Sequence, residues 1–327
     1  PQPAATAGTG GGARNATRFG HHAPARGQVA SAGVYRCWLA TLSYPVAVTL
    51  YRIFETPSLD EPLMVVAFDA WVDAGSAATD AAELLCEGGE PIAELEADGL
   101  YDYRARRPTL HLDDGRLMSA EWPSLPIIHR RFAERDVLIL TGPEPDYRWQ
   151  ELSHDLVALG RQLGVREWLT LGAIPAAVPH TRPVTVLGIA SQDDLLRGGV
   201  ERGPMGAMQV PAAAVSVIDL AVIEAGIPTL GYFAQVPHYV NGEYPAAAVA
   251  LIRALEPHLG ESISTTMLEL QAQATSSKLD SAAAADDSTT SYVERLEELS
   301  DEARLPSGDE LIGEIERFLR DQDRGDG

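Results

Sequence analysis

The stretch LMVVAFDAWVDAGSAATDAAELLCEGGE, residues 63–90, decides how the chain folds. Its first six residues are all apolar, a compact run suited to a strand buried on both faces. A polar loop with two aspartates and a tryptophan follows, and then an Ala- and Leu-rich run. Gly75-Ser76 marks the start of a helix there, and Gly88-Gly89 its stop. Strand, loop and helix in that order form the repeating unit of an α/β protein.

The unit recurs downstream. Residues 91–96 read as a second strand, and 109–122 alternate around Asp114-Gly115 as a hairpin. RDVLILTGPEP (135–145) is another buried strand running into a Gly/Pro loop. A helix over 147–163 is marked by Leu152, Leu156, Leu159 and Leu163 at helical spacing. Strands are expected at 166–175, 184–191 and 227–237, with helices at 212–226 and 245–259. Such alternation over residues 49–260 predicts a three-layer α/β/α sandwich on a mostly parallel sheet.

The ends of the chain read differently. Residues 1–48 are rich in Gly, Ala, Thr, Pro and Arg without periodicity, and the first methionine is Met64. They are expected to be a disordered or non-native extension. After 260 the text turns helical and acidic. A Ser/Ala/Asp stretch (275–290) is expected to break it, before YVERLEEL and SGDELIGEIERFLRDQ resume. Residues 261–327 are thus expected to form a small acidic helical appendage, serving as a lid or an oligomer contact. They hold 17 acids against 6 bases, half of the chain's net charge of −22.

That negative charge argues against a nucleic-acid partner, since phosphate backbones are bound by basic surface. Two cysteines without a Cys-x-x-Cys pair point to a reducing cytoplasm. The chain lacks 18 consecutive apolar residues, so no membrane span is expected. CWLATLSYPVAVTL (37–50) carries polar interruptions and Pro45, which speak against a signal segment. Lys278 is the sole lysine. Phosphate loops ending in Lys, the kinase lysine and most Schiff-base chemistry are therefore excluded. GxSxG and GxGxxG motifs are also missing. No cofactor or metal is expected, and the common enzyme classes find no support.

Ligands in open α/β sheets lie beyond the carboxyl ends of the strands. The candidates expected there are Asp69, Trp71, Asp73 and Gly75 after the first strand. Gly172, Pro175, His180 and Arg182 belong to LGAIPAAVPHTRP, and Gln235, Pro237, His238 and Tyr239 to FAQVPHYVNG. The loop ERGPMGAM (201–208) is a further candidate. Asp69 and Asp73 suit a paired acid and base, but loop hydrogen bonding and helix-start capping are the simpler roles. Val-Pro-His occurs twice, at His180 and His238, each after an apolar run. These histidines are expected to share one cleft, as structural residues, as a catalytic pair or in a metal site. Arg182 suits an anion or, more simply, a surface ion pair. Cys86, within an Ala-rich helix, reads as a small buried apolar group.

Taken together, VVAFDAWVDAGSAATDA, LTGPEPDYRW, LGAIPAAVPHTRPV, GPMGAM and GIPTLGYFAQVPHYVNGEYPAAAVALIRAL resemble the proteasome assembly chaperone family of the second-subunit type, in its actinobacterial branch. LPSGDELIGEIERFLRDQ near the end is also similar to that branch. The resemblance covers residues 50–322. It implies an α/β/α core similar to the nucleoside phosphorylase and peptidyl hydrolase type, a small helical domain and self-association, with a trimer as the expected state. It transfers no catalytic residues. Members that dock on proteasomes carry a hydrophobic-Tyr-any tail, and the closing DQDRGDG departs from it. The resulting expectation is an assembly protein acting by protein contacts, with proteasome subunits as partners. The alternative is an enzyme or sensor for a nucleoside- or amide-type molecule, using the cleft at the strand ends.

Overall fold

In the computed structural model of the chain, residues 49–133 and 135–303 are described. The expectations for residues 1–48 and for the helical text beyond 303 lie outside them. Strands β1 (Tyr51–Ile53) and β2 (Leu63–Phe68) lead into helix α1 (Ala77–Cys86). Next come β3 (Glu90–Leu95), a hairpin of β4 (Thr109–Asp113) and β5 (Arg116–Glu121), then β6 (Leu125–Phe132) and β7 (Arg135–Gly142). Helix α2 (Trp149–Gln162) precedes β8 (Glu167–Ala176), β9 (Val186–Ala190) and β10 (Glu201–Arg202). Helix α3 (Ala214–Glu224), β11 (Thr229–Pro237) and α4 (Pro245–Leu259) complete the core. Helices α5 (Thr266–Ala284) and α6 (Asp287–Ala303) close the described chain.

Nine strands form one mixed sheet in the order β1-β3-β6-β7-β2-β8-β11-β9-β10. Its centre, β7-β2-β8-β11, is parallel, with Leu63 opposite Val137 and Thr229 opposite Trp168. The flanks β1, β3 and β6 pair antiparallel, and β9 runs antiparallel to β11. The carboxyl ends of four central strands therefore lie side by side. The β4–β5 hairpin is a separate two-stranded sheet.

The reading of residues 63–68 as a doubly buried strand is borne out. Leu63, Val65 and Ala67 join α1 and α4 in one core, while Met64, Val66 and Phe68 join α2 and α3 in the other. Period-two alternation across the pleat sends one strand into two cores. Helices thus cover both faces, and each fully buried Leu contributes about 2 kcal/mol of apolar transfer free energy.

Strands β1, β6 and β10 were not legible in the sequence. LPIIHRRF carries a proline and two arginines, yet it pairs with β3 and β7 through Ile127, Ile128 and Arg130. The expected break at 275–290 is corrected: α5 runs through to Ala284, and the interruption is confined to Ala285-Asp286. No residue of α5 is fully buried, so the helix lacks the apolar period that would announce it. Asp286 starts α6, its carboxylate accepting the Thr289 N–H at 3.0 Å. Lys278 stands exposed on α5, inside regular structure.

Candidate functional site

The loop after β2 is shaped by positive φ angles at Ala70 and Gly75 and by the strand-like bridge between Asp73 and Ala173 of β8. Asp73 is buried, and its carboxylate accepts the Ala78 N–H at 2.7 Å and the Thr79 hydroxyl at 2.5 Å. It closes the amino end of α1. Burial pushes its carboxyl up, opposed by the hydrogen bonds from Thr79 and Ala78. Asp69 accepts the Glu144 N–H at 2.8 Å and pairs with Arg106 at 3.0 Å. Both aspartates are committed to loop and helix contacts, as the simpler reading had it, and the geometry gives no support to an acid–base pair. Trp71 stands 60% exposed on the same loop.

The glycines work by close approach. A Cβ on Gly75 would lie 2.7 Å from the Tyr244 Cβ, and the Gly75 carbonyl accepts the Tyr244 N–H. A Cβ on Gly172 would lie 2.5 Å from the Phe233 ring. Pro175, Gln235 and Pro237 are strand-end residues, with Pro175 opposite Val236 and Gln235 opposite Ile174. The 201–208 loop does not join this end at its start. Because β9 turns back against β11 and β10 follows β9, Gly203 begins at the amino ends of the central strands.

The two histidines do meet, through tyrosine. The Tyr239 hydroxyl accepts the His180 backbone N–H at 2.8 Å and lies 2.8 Å from Nδ1; Nε2 lies 3.2 Å from Asp280 Oδ1 on α5. A carboxylate at Nε2 places the neutral imidazole's proton there, so the Tyr239 hydroxyl donates to Nδ1. His238 takes the opposite tautomer: Nδ1 donates to the Ala176 carbonyl at 3.1 Å, and Nε2 accepts from the Tyr292 hydroxyl at 3.2 Å. The rings of His180, His238, Tyr239 and Tyr292 stack edge to face. Arg182 forms a fork with Asp301 at 2.9 and 2.8 Å, Glu297 lies 3.3 Å away, and Thr181 also bonds Glu297. Arg182 is thus held in ion pairs to α6.

Beside this cluster lies a pocket of about 470 Å³, lined by His180, Tyr239 and Tyr292 together with Leu279, Ala283 and Val293. Among the described residues, no group of three or more His, Cys, Asp or Glu side chains is placed to hold a metal ion. Both nitrogens of each histidine are already engaged. What remain for a ligand are the side-chain oxygens of Tyr239, Tyr292, Ser288 and Thr289 beside apolar Leu279, Ala282, Ala283 and Val293. Sequence reasoning missed Asp280 and Tyr292, which complete the cluster from helices about 100 and 54 residues further on. No local pattern links such distant positions.

Fold and site define an α/β protein whose strand-end loops are covered by a helical pair. A PAC2 family model matches residues 67–283, and the chain belongs to the PAC2 family. It is similar to a PAC2 family protein from Streptomyces avermitilis at 35% identity, over 71% of this chain and 99% of that one, with a TM-score of 0.64. A proteasome-assembly chaperone homologue from Mycobacterium tuberculosis is 34% identical over the same shares, also at 0.64. A Corynebacterium glutamicum protein of unknown function is 28% identical over 78% of this chain and 98% of that one, with a TM-score of 0.71. No curated protein matches the chain.

Proposed function

We propose that this protein acts by protein–protein contacts in a role of the proteasome-assembly type. The β4–β5 ribbon carries this reading. Both strands are exposed along their whole length, and Leu110, Leu112, Leu117 and Met118 are 56, 62, 71 and 63% accessible. A two-stranded ribbon is marginal alone in water, and contiguous exposed apolar side chains mark a contact surface. The likeness to the Mycobacterium tuberculosis homologue supports proteasome subunits as the ribbon's partner. A net charge of −22 favours approach to a basic patch.

A second apolar surface suits self-association: Leu220 and Ile223 on α3, with Met205, Met208 and Val210 before it, are all exposed. We assign it to a homo-oligomer, a trimer, in a cytoplasmic protein that needs no cofactor. Residues 49–260 are its α/β/α core and the helices from 261 onward its acidic appendage. The test is sedimentation of the purified chain with purified proteasome α and β subunits from the same source. A joint species is expected, and Leu112→Asp/Leu117→Asp should dissolve it while the circular dichroism spectrum holds. The reading fails if the unaltered chain forms no complex with either subunit.

The 470 Å³ pocket favours a second reading, a sensor or enzyme for a nucleoside- or amide-type molecule. Its candidate residues would be those around His180, Tyr239 and His238. Nucleosides should then raise the melting temperature, and Tyr239→Phe should remove that rise; no rise with any nucleoside or small amide discards it.

A further inference from the structure

A second polar centre occupies the amino ends of the central strands, away from the loops above. Glu167 opens β8 almost completely buried. Its carboxylate receives Arg135 Nη2 at 2.6 Å and His258 Nδ1 at 3.0 Å, with Arg197 Nη2 at 3.6 Å. His258 Nε2 lies 2.8 Å from the Tyr232 hydroxyl, which also accepts the Arg197 backbone N–H at 3.1 Å. The His258 side chain is entirely buried. This arrangement fixes its proton on Nδ1, with Tyr232 donating to Nε2.

Above this floor opens a pocket of about 670 Å³, to which Arg135, Arg166 and Arg197 contribute from separate segments. Arg135 is spent on Glu167 and on the His258 carbonyl. The other two are not. Among the described residues, the Arg166 and Arg197 side chains make no hydrogen bond, only ion pairs at 3.9 Å to Glu61 and 3.6 Å to Glu167. Planar guanidinium forks left in this way match carboxylate and phosphate oxygens.

We propose that this pocket binds a small multivalent oxyanion, a phosphate monoester or a di- or tricarboxylate, gripped by Arg166 and Arg197 above the Arg135–Glu167–His258 floor. Formal charges on the lining nearly cancel, but their positions do not. Asp60 and Glu61 sit on the exposed rim with Arg166, where water and salt screen all three, and Arg135 and Arg197 lie closer to the floor. The one acid on the floor, Glu167, is met by two guanidinium groups and an imidazole N–H. Burial raises its carboxyl, but the hydrogen bonds from His258 and Arg135 and the charge beside them outweigh that and hold it down near 2. The volume leaves room for an organic portion beyond the anionic group.

This inference stands independently of the role proposed above, and its test uses the full chain alone. Thermal melts and titration calorimetry in phosphate and in citrate are compared with sodium chloride at matched ionic strength. A saturable rise in melting temperature of about 2–4 °C is expected well above the dissociation constant. Arg166→Gln/Arg197→Gln should abolish it; because Arg197→Gln also removes a 3.6 Å pairing to buried Glu167, the response is read against that variant's own melt in chloride. Arg166→Gln alone should weaken binding and serves if the double variant does not fold. A response to phosphate but not citrate selects the phosphate ester; the reverse selects the carboxylate. Absence of a saturable response to either anion, or an equal response in the double variant, overturns the proposal.

Discussion

Asp219 of α3 points its carboxyl at the Thr170 hydroxyl of β8, 2.7 Å away, in the buried layer between helix and sheet. Burial pushes its carboxyl up to about 7, from an ordinary value of 3.8. Between those values the folded chain holds a proton that the unfolded chain has released. Stability from this group is therefore lost as pH rises through that window, by about 4 kcal/mol in total. Asp219→Asn keeps an acceptor for Thr170 and removes the titration. Its urea midpoint should gain on the unaltered protein between pH 4.5 and 7.5, and parallel midpoints would refute the assignment. Composition gave no warning of this residue, because DLAVIEAG reads as an ordinary helix end. Asp69 and Asp73 show the converse: they stood out in the sequence, and the structure gives them the capping and loop contacts that short acidic side chains commonly make.

Helices α5 and α6 meet the strand-end loops through polar contacts: His180 with Asp280, Thr181 with Glu297, Arg182 with Asp301, and His238 with Tyr292. Contacts of this kind weaken with salt and with loss of a single partner. Arg182→Ala should accelerate amide hydrogen exchange in α6 on the order of two- to five-fold while leaving β8 unchanged. Unaltered exchange in α6 would show that the Arg182 ion pairs do not hold the helix, leaving its seating to the other polar contacts and to apolar packing, including Val293 and Leu296. The core elements were legible because each carried its own signal, such as the apolar run of β2, the leucine spacing of α2 or the Asp114-Gly115 turn. Helix α5 was misread as broken because an exposed helix of small and polar residues has no periodic face to detect. The meeting of His180 with His238 followed from two strands ending together, whereas Tyr292 and Asp280 depended on how a later segment docks.

At the scale of the whole molecule, the apolar β4–β5 ribbon interrupts the chain between β3 and β6 on one flank of the sheet, and the methionine-bearing loop follows β10 at the other. A self-associating chain should respond to substitution of the second surface: Leu220→Asp/Ile223→Asp is expected to sediment as a monomer at concentrations where the unaltered protein does not. Identical sedimentation would remove that surface from the assembly. The exposed position of Lys278 has a practical reach of its own. As the sole lysine, it sits on α5 one residue before Leu279 of the pocket wall and two before Asp280. Within the folded helices, amine-reactive dyes would therefore label a single address, on helix α5. The same scarcity leaves lysine-directed crosslinkers blind to the ribbon and to α3, so maps of this protein's contacts must be drawn with reagents for its 47 carboxylates.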